Sequence, residues 1–501
     1  MKKESSGVFA LAFGLALVCL MPTNQSIWID EGFTVPYAQE PTLGRFLTRL
    51  ASEQGSEALM PLGMFSSWAG TQVFGMSEIG LRAVSALWAA VAVVLLWRTG
   101  VAAGVAWLPA LFACHPFLWY YASEVRPYAM VIAMSSGVLY GLVTVLSSER
   151  GTEGGLYTLL FFGPLLCATQ VLGVVPLAVV AVVVGRVLLR RGWKPGTRDA
   201  VFLALSGGAF ILLGLYDAMV ISRGADINWE GPWTVGVSNL LFSAYELFGF
   251  TGLGPGRYEL RQLAIEHGLL GSLRGLARPA TVALIALAVL YALTLIRFLR
   301  RLESRRSFAG RLVLLCGLVI AASATLMFAL CAAVESPFWG RHLASLLPFV
   351  VLGLGIAGSP PEDNRQRKPA IMTLLLAAAL LASSVMQRLD PRYSRDDYRG
   401  AAHLASLALQ KGKVVWWVAA FEAATYYRVV FCPVGPNDAP ACVVRADNRE
   451  SWELEEWPKP DLVLLSKPEL YDMTGAVRRY IQEHRFQATR RLTAFEAFES
   501  R

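Results

Sequence analysis

Charge is what this sequence has least of. Only 16% of its residues are Asp, Glu, Lys or Arg, against about 25% in a typical soluble domain. Its seven cysteines include no C-x-x-C pair and no metal-ligand spacing, which argues against a zinc or iron–sulfur centre. The C-terminal region lacks a glycine-rich loop, so the usual phosphate-cradling turn is missing. The middles of the apolar runs are nearly free of charge, Asp217 being the main exception. A transport path through the bilayer would place charges there.

What fills the chain instead is apolar. Of the 501 residues 55% are hydrophobic, and the mean hydropathy is +0.48. Runs near Val8–Met21, 79–97, 101–118, 127–146, 156–170, 171–189, 200–221, 279–297, 310–333, 342–358 and 369–386 stand out. Most approach the ~17–25 residues needed to cross the hydrocarbon core, giving a polytopic α-helical membrane protein of about eleven spans. The break between 156–170 and 171–189 rests on Gln170 alone.

The net charge of +8 does not mean nucleic acid, because the basic residues sit in short loops between spans. Arg186, Arg190, Arg191, Lys194 and Arg198 form one such group, and Arg297, Arg300, Arg301, Arg305, Arg306 and Arg311 another. This is the positive-inside pattern. Lys2 and Lys3 then mark the inner end of an uncleaved first span, and an odd span count leaves the C-terminus outside.

The expected domains are a membrane domain, 1–386, and a soluble extracytoplasmic α/β domain, 387–501. The first outer loop, 23–77, carries amphipathic segments after Thr42 and at Pro61–Trp68 that suit helices lying in the interface. A second outer loop, 222–278, holds Trp229, Trp233, Tyr245 and Tyr258, aromatics of an interface belt or a sugar platform, with the belt favoured. In the C-terminal domain 400–409 and 473–484 read as helices, and 414–418, 461–465 and 491–494 as strands. Cys19, Cys114, Cys167, Cys316 and Cys331 read as small buried hydrophobes. Cys432 and Cys442 fall in the polar tail, where an oxidising compartment would join them.

Asp30 and Glu31 follow the first span within Trp28-Ile29-Asp30-Glu31-Gly32. They read either as solvated loop acids or as carboxylates facing a cavity at the interface. Tyr121-Ala122-Ser123-Glu124-Val125-Arg126-Pro127-Tyr128 and Trp339-Gly340-Arg341-His342 lie on the same expected side. An enzyme there has no cytoplasmic nucleotides, so the membrane must deliver its substrate. A sugar on a polyprenyl phosphate meets that need. Its transfer asks for a carboxylate to take a proton from the acceptor hydroxyl and for fixed cations on the phosphate. Forked guanidinium donors suit the phosphate. The plainer readings are that Arg126 pairs with Glu124 or snorkels, Arg341 anchors a span end, His342 packs at the interface, and Glu57 and Glu78 are solvated.

Four motifs in order complete the pattern: Trp28-x-Asp30-Glu31, Phe74-Gly75-x-Ser77-Glu78-x-x-x-Arg82-x-x-Ser85-Ala86, Tyr121-x-Ser123-Glu124-x-Arg126-x-Tyr128, and Arg341 ahead of Leu347-Pro348. Over roughly residues 7–400 the chain resembles a bacterial integral-membrane glycosyltransferase of the GT-C superfamily. The groups it resembles are the protein O-mannosyltransferase-like enzymes, the aminoarabinose transferases acting on lipid A, and the Rgt-type galacturonosyltransferases. The resemblance implies inverting transfer of a hexose or pentose from a polyprenyl-phosphate-linked sugar to an acceptor hydroxyl on the outer face of the bacterial cytoplasmic (inner) membrane. It implies Asp30 as the base with Glu31 beside it, and Arg126, Arg341 and His342 at the donor phosphate. Tyr121, Glu124, Tyr128 and Trp339 would line the pocket. The acceptor class, whether protein, lipid A or polysaccharide, stays open. So does a divalent cation at Asp30/Glu31, which some members of that superfamily hold and others do not; no other cofactor and no nucleic-acid partner is expected.

Two departures stand out: Leu59-Met60-Pro61 replaces a His-Pro-Pro common in that superfamily, and Arg341-His342 an Arg-Tyr. The competing readings are a flippase for a lipid-linked sugar and a scaffold presenting the α/β tail.

Overall fold

A computed structural model describes residues 2–53, 55–148, 153–223, 236–256, 259, 279–302, 307–359, 371–433 and 435–500. Most of the 222–278 loop, including Trp229, Trp233 and Tyr258, lies outside these residues, as do Arg150, Arg305, Arg306, Arg365, Arg367 and Lys368. The chain divides into two compact units. One comprises Met1–Pro22, Pro41–Gly75 and Gly80–Tyr393; the other Thr23–Glu40, Met76–Ile79 and Ser394–Arg501.

The first unit is helical. Among the described residues seven helical stretches are long and apolar enough to cross a membrane: Glu78–Ala103, Tyr128–Ser147, Val171–Arg190, Thr197–Ser222, Phe308–Ala333, Gly340–Ala357 and Ile371–Leu389. Shorter apolar helices cover Gly7–Val18, Gly154–Thr169 and Ala283–Arg297. Burial sorts them. The apolar window of Tyr128–Ser147 is 83% buried, that of Thr197–Ser222 only 11%. The first is therefore the core of the bundle, and the second turns Ile211, Leu212 and Leu215 outward, as a lipid-facing helix does.

The expected span at 101–118 is corrected. Glu78–Ala103 stops at Gly104, which has φ 72°, a left-handed conformation that glycine adopts without steric cost. Two short helices follow, Leu108–Ala113 and Pro116–Ala122. Pro116 starts the second, where its missing N–H is no loss, and His115 Nδ1 accepts from Phe117 N at 3.3 Å. The Gln170 break lies between Glu153–Thr169 and a 3-10 turn at Val171–Gly173 that leads into Val174–Arg190.

The second unit is built on a five-stranded sheet. Its strands are β1 (Val415–Val418), β2 (Val444–Arg445), β3 (Leu462–Ser466), β4 (Gln487–Leu492) and β5 (Phe495–Glu499), in spatial order β2-β1-β3-β5-β4. β1 runs parallel to β2 and β3, while β5 is antiparallel to both β3 and β4. The central strands read as continuous apolar runs because helices cover both their faces; Trp416, Trp417 and Val463 are fully buried. The strand expected at 491–494 is corrected to a hairpin whose turn holds Ala494 at φ 63°. The expected helix 473–484 begins only at Ala476, because Asp472 binds the N–H groups of Val477 and Arg478 at 3.0 and 3.1 Å and sets the start. Cys432 and Cys442 form a disulfide.

Candidate functional site

Asp30 and Glu31 belong to the α/β unit, although they directly follow the first membrane helix in sequence. The polypeptide from Asn24 to Ile27 is held by side chains from beyond residue 394. Tyr427 Oη accepts from Ile27 N at 2.7 Å and lies 3.3 Å from Ser26 Oγ. Arg399 N donates to Ser26 Oγ at 2.9 Å, and the Arg399 guanidinium donates to Asn24 O. Glu78, expected to be solvated, pairs with Arg399 at 2.7 Å and accepts from Tyr427 Oη at 3.2 Å.

The short helix Ile29–Gly32 then presents the two acids. Their surroundings differ. Glu31 is fully buried, with Oε1 2.7 Å from Arg395 Nη1 and Oε2 accepting from Trp28 N at 3.3 Å. Asp30 is half-buried. Around them the Arg395 guanidinium lies 5.8 Å and the Lys467 ammonium 5.6 Å from the centre of the Trp28 ring. Lys467 pairs with Asp396 at 2.5 Å. Burial first, then the carboxylates of Glu422, Asp396, Asp30 and Asp447, hold the Tyr471 phenol well above its ordinary 10.0. Tyr471 therefore stays a neutral O–H group in this acidic setting.

Both oxygens of Glu31, one of the two acids considered for a divalent cation, have protein contacts. Arg395 already sits on one oxygen of Glu31 and the Trp28 amide on the other. Among the described residues no group of three or more His, Cys, Asp or Glu side chains could hold a metal ion.

Arg126, Arg341 and the aromatic candidates lie in the membrane unit. The 120–128 segment is pinned from two sides. Ser85 Oγ donates to Glu124 O at 2.5 Å. A Cβ placed on Gly63 would lie 2.4 Å from Pro127 Cβ, so the helix Pro61–Phe74 touches Pro127 where only glycine fits. Tyr121, Glu124 and Tyr128 are buried. The Tyr121 ring centre lies 4.7 Å from Phe117 and 5.1 Å from both Tyr120 and Tyr128. Glu57 is corrected from a solvated acid to a buried one: its Oε1 lies 2.7 Å from Arg126 Nη1. Arg126 also lies 5.8 Å from the Tyr128 ring centre.

Arg341 and His342 lie in a 3-10 helix, Gly340–Leu346, with Trp339 at its N-cap; all three are half-buried. His342 Nδ1 accepts from Trp339 N at 3.3 Å, and its ring is 5.6 Å from Phe338. That 3-10 helix packs on Tyr128–Ser147, where Ser135 Oγ donates to Ser345 O at 2.5 Å.

No protein-family model matches the chain, and no curated protein does. Two solved structures are similar to it. The crystal structure of ArnT from Cupriavidus metallidurans bound to undecaprenyl phosphate aligns with a TM-score of 0.43 and 14% identity, covering 98% of this chain and 97% of that one. The cryo-EM structure of the arabinofuranosyltransferase AftD from Mycobacteria aligns with a TM-score of 0.41 and 14% identity, covering 98% of this chain but only 39% of that one.

Three of these residues, Arg395 and Lys467 in the α/β unit and Glu57 in the membrane unit, carry no motif in the sequence. Arg395 and Lys467 lie far along the chain from Trp28 and Glu31, and Glu57 sits in a loop whose charges read as exposed. A basic residue at the start of the polar C-terminal region is common at a span end, so Arg395 gives no signal that separates it from an interfacial anchor.

Proposed function

We propose that the protein is an inverting glycosyltransferase that moves a sugar from a polyprenyl-phosphate carrier to an acceptor hydroxyl on the outer face of the cytoplasmic membrane. The observation that carries this is the division of labour within the acid pair. Arg395 holds Glu31 as a buried, ion-paired carboxylate. Asp30, one residue earlier, is half-buried and is the carboxylate proposed to take the proton. The Cys432–Cys442 disulfide supports an oxidising compartment for the α/β unit. Nucleotide-activated sugars are not supplied there, so a donor anchored in the bilayer is required.

In the proposed step the acceptor O–H gives its proton to the Asp30 carboxylate as the oxygen attacks the anomeric carbon. The new C–O bond forms opposite the departing phosphate, which inverts the centre. The electron pair of the broken bond goes to the phosphate oxygen and leaves a polyprenyl phosphate monoester. Arg126 and Arg341 are the proposed contacts of that phosphate, with forked donors matched to its oxygens.

The test is turnover by the purified protein with polyprenyl-phosphate-linked pentoses and hexoses, reading release of free polyprenyl phosphate. Asp30→Asn is expected to lower the rate by roughly 10²–10⁴-fold while the protein still folds. Wild-type activity in that variant would remove Asp30 as the base. Donor binding without any product would favour a flippase.

A further inference from the structure

We propose that Arg395 is a positioning residue for the base, and that the C-terminal α/β unit is the scaffold that aims Asp30. The proposal rests on the reading of Asp30 as base. It assigns to the residues after Ser394 a task inside the reaction rather than an accessory one.

Three observations within the α/β unit carry it. The acid turn is mounted on this unit through Tyr427 and Arg399, as described above. A Cβ on Gly32 would lie 2.7 Å from Ala423 N. The backbone of the turn therefore rests directly on the helix Glu422–Tyr426, and the missing side chain is what allows that approach. Finally, the Arg395 guanidinium bears on both sides of Asp30. It pairs with Glu31 at 2.7 Å and lies over the Trp28 ring at 5.8 Å.

The wiring continues through the next residue. Asp396 pairs with Lys467, which directly follows β3 and lies over the same Trp28 ring. Two consecutive residues, 395 and 396, thus tie the turn to the end of a central strand. A four-residue helix has little stability of its own, since nucleation fixes several dihedrals for few bonds. Its Gly32 N–H···O Trp28 bond and the Thr34 N–H···O Glu31 bond after it, both 2.9 Å, depend on this outside support. The apolar cluster around Trp416, Val463 and Tyr480 gives the sheet a core of its own.

The experiment is hydrogen–deuterium exchange on the full-length protein in detergent, combined with steady-state kinetics on whichever polyprenyl-phosphate sugar the wild type turns over. Arg395→Gln is expected to speed exchange at Gly32 and Thr34 by at least about tenfold while β1 and β3 keep their protection. The same variant should lose roughly a hundredfold in kcat with donor KM unchanged, the signature of a displaced reactive group. Arg395→Lys, which keeps the charge but not the fork, should recover part of both. If Arg395→Gln does not fold, Glu31→Gln reports the same split from the other side of the pair.

Unchanged exchange at the turn together with unchanged kcat would overturn the proposal. So would a rise in donor KM alone, which would make Arg395 a donor ligand, or loss of protection throughout β1 and β3, which would make it a general structural residue. The exchange arm needs no substrate. A wild type that turns over no donor would therefore sink the transferase reading while leaving this inference to be decided separately.

Discussion

In the membrane unit Arg126 meets Glu57 at 2.7 Å, with side chains 4% and 9% exposed; in the α/β unit Arg395 meets Glu31 at 2.7 Å, with side chains 6% and 0% exposed. The geometry is nearly the same, but the two pairs are built from opposite ends. In the first the arginine belongs to a packed aromatic segment and the carboxylate comes from the short 3-10 helix Ser56–Leu59. In the second the carboxylate belongs to the short presenting turn and the arginine comes from the chain after the last membrane helix. Both arginines approach an aromatic ring at 5.8 Å, Tyr128 and Trp28 respectively. Each pair thus joins a segment rich in recognisable chemistry to one that has none.

The largest effect expected from this comparison concerns the first pair. Arg126→Met leaves Glu57 buried without its cation, and breaking a buried pair from one side costs about 3–5 kcal/mol. Arg126→Met with Glu57→Met removes both charges and should regain most of that loss. Thermal melting of the four proteins of this cycle measures the coupling. Equal loss in the single and double variants would mean that Glu57 contributes nothing to holding Arg126.

The same asymmetry explains what could be read from the sequence. The spans were legible because a ~17–25-residue apolar run has few other uses. The run 101–118 misled because its composition is apolar throughout, while its geometry is decided by Gly104 and Pro116. The central strands were legible as Val/Trp/Leu runs, but the two-residue β2 was too short to carry a period. Asp30, Glu31 and Arg126 announced themselves as charges beside spans and within motifs. Glu57, Arg395 and Lys467 did not, because their roles arise from contacts between distant parts of the chain. A loop glutamate and a span-end arginine look the same in sequence whether buried or solvated.

A smaller effect is expected at Arg341, which is half-buried and so differs from both buried arginines. Arg341→Ala should weaken binding of a polyprenyl-phosphate donor by about ten- to a hundredfold, the worth of one or two charge-assisted hydrogen bonds. Its melting temperature should stay close to wild type, in contrast to Arg126→Met. An equilibrium titration of detergent-solubilised protein with polyprenyl phosphate reads the first quantity. Unchanged affinity would return Arg341 to the role of a span-end anchor.

The smallest effect sharpens the comparison within the α/β unit, where one carboxylate is paired with a cation and another is not well served by its burial. Burial raises the Glu422 carboxyl above its ordinary 4.5, more than the backbone N–H groups of Phe421 and Glu422 and the nearby Arg445 pull it down. A carboxyl whose folded pKa is raised binds its proton more tightly in the folded state. Its contribution is fully present below the unfolded pKa and is lost as pH rises through the folded pKa. Ionised Glu422 therefore destabilises the unit at neutral pH. Glu422→Gln keeps the shape and removes that ionisation. Its melting temperature relative to wild type should rise as pH goes from below 4.5 towards neutrality. Glu31→Gln, measured beside it at neutral pH, should lose stability relative to wild type, because it removes the ion pair with Arg395. The two substitutions in one small unit would then shift the melting temperature in opposite directions at neutral pH, and a Glu31→Gln protein as stable as wild type would show that Arg395 gains nothing from Glu31.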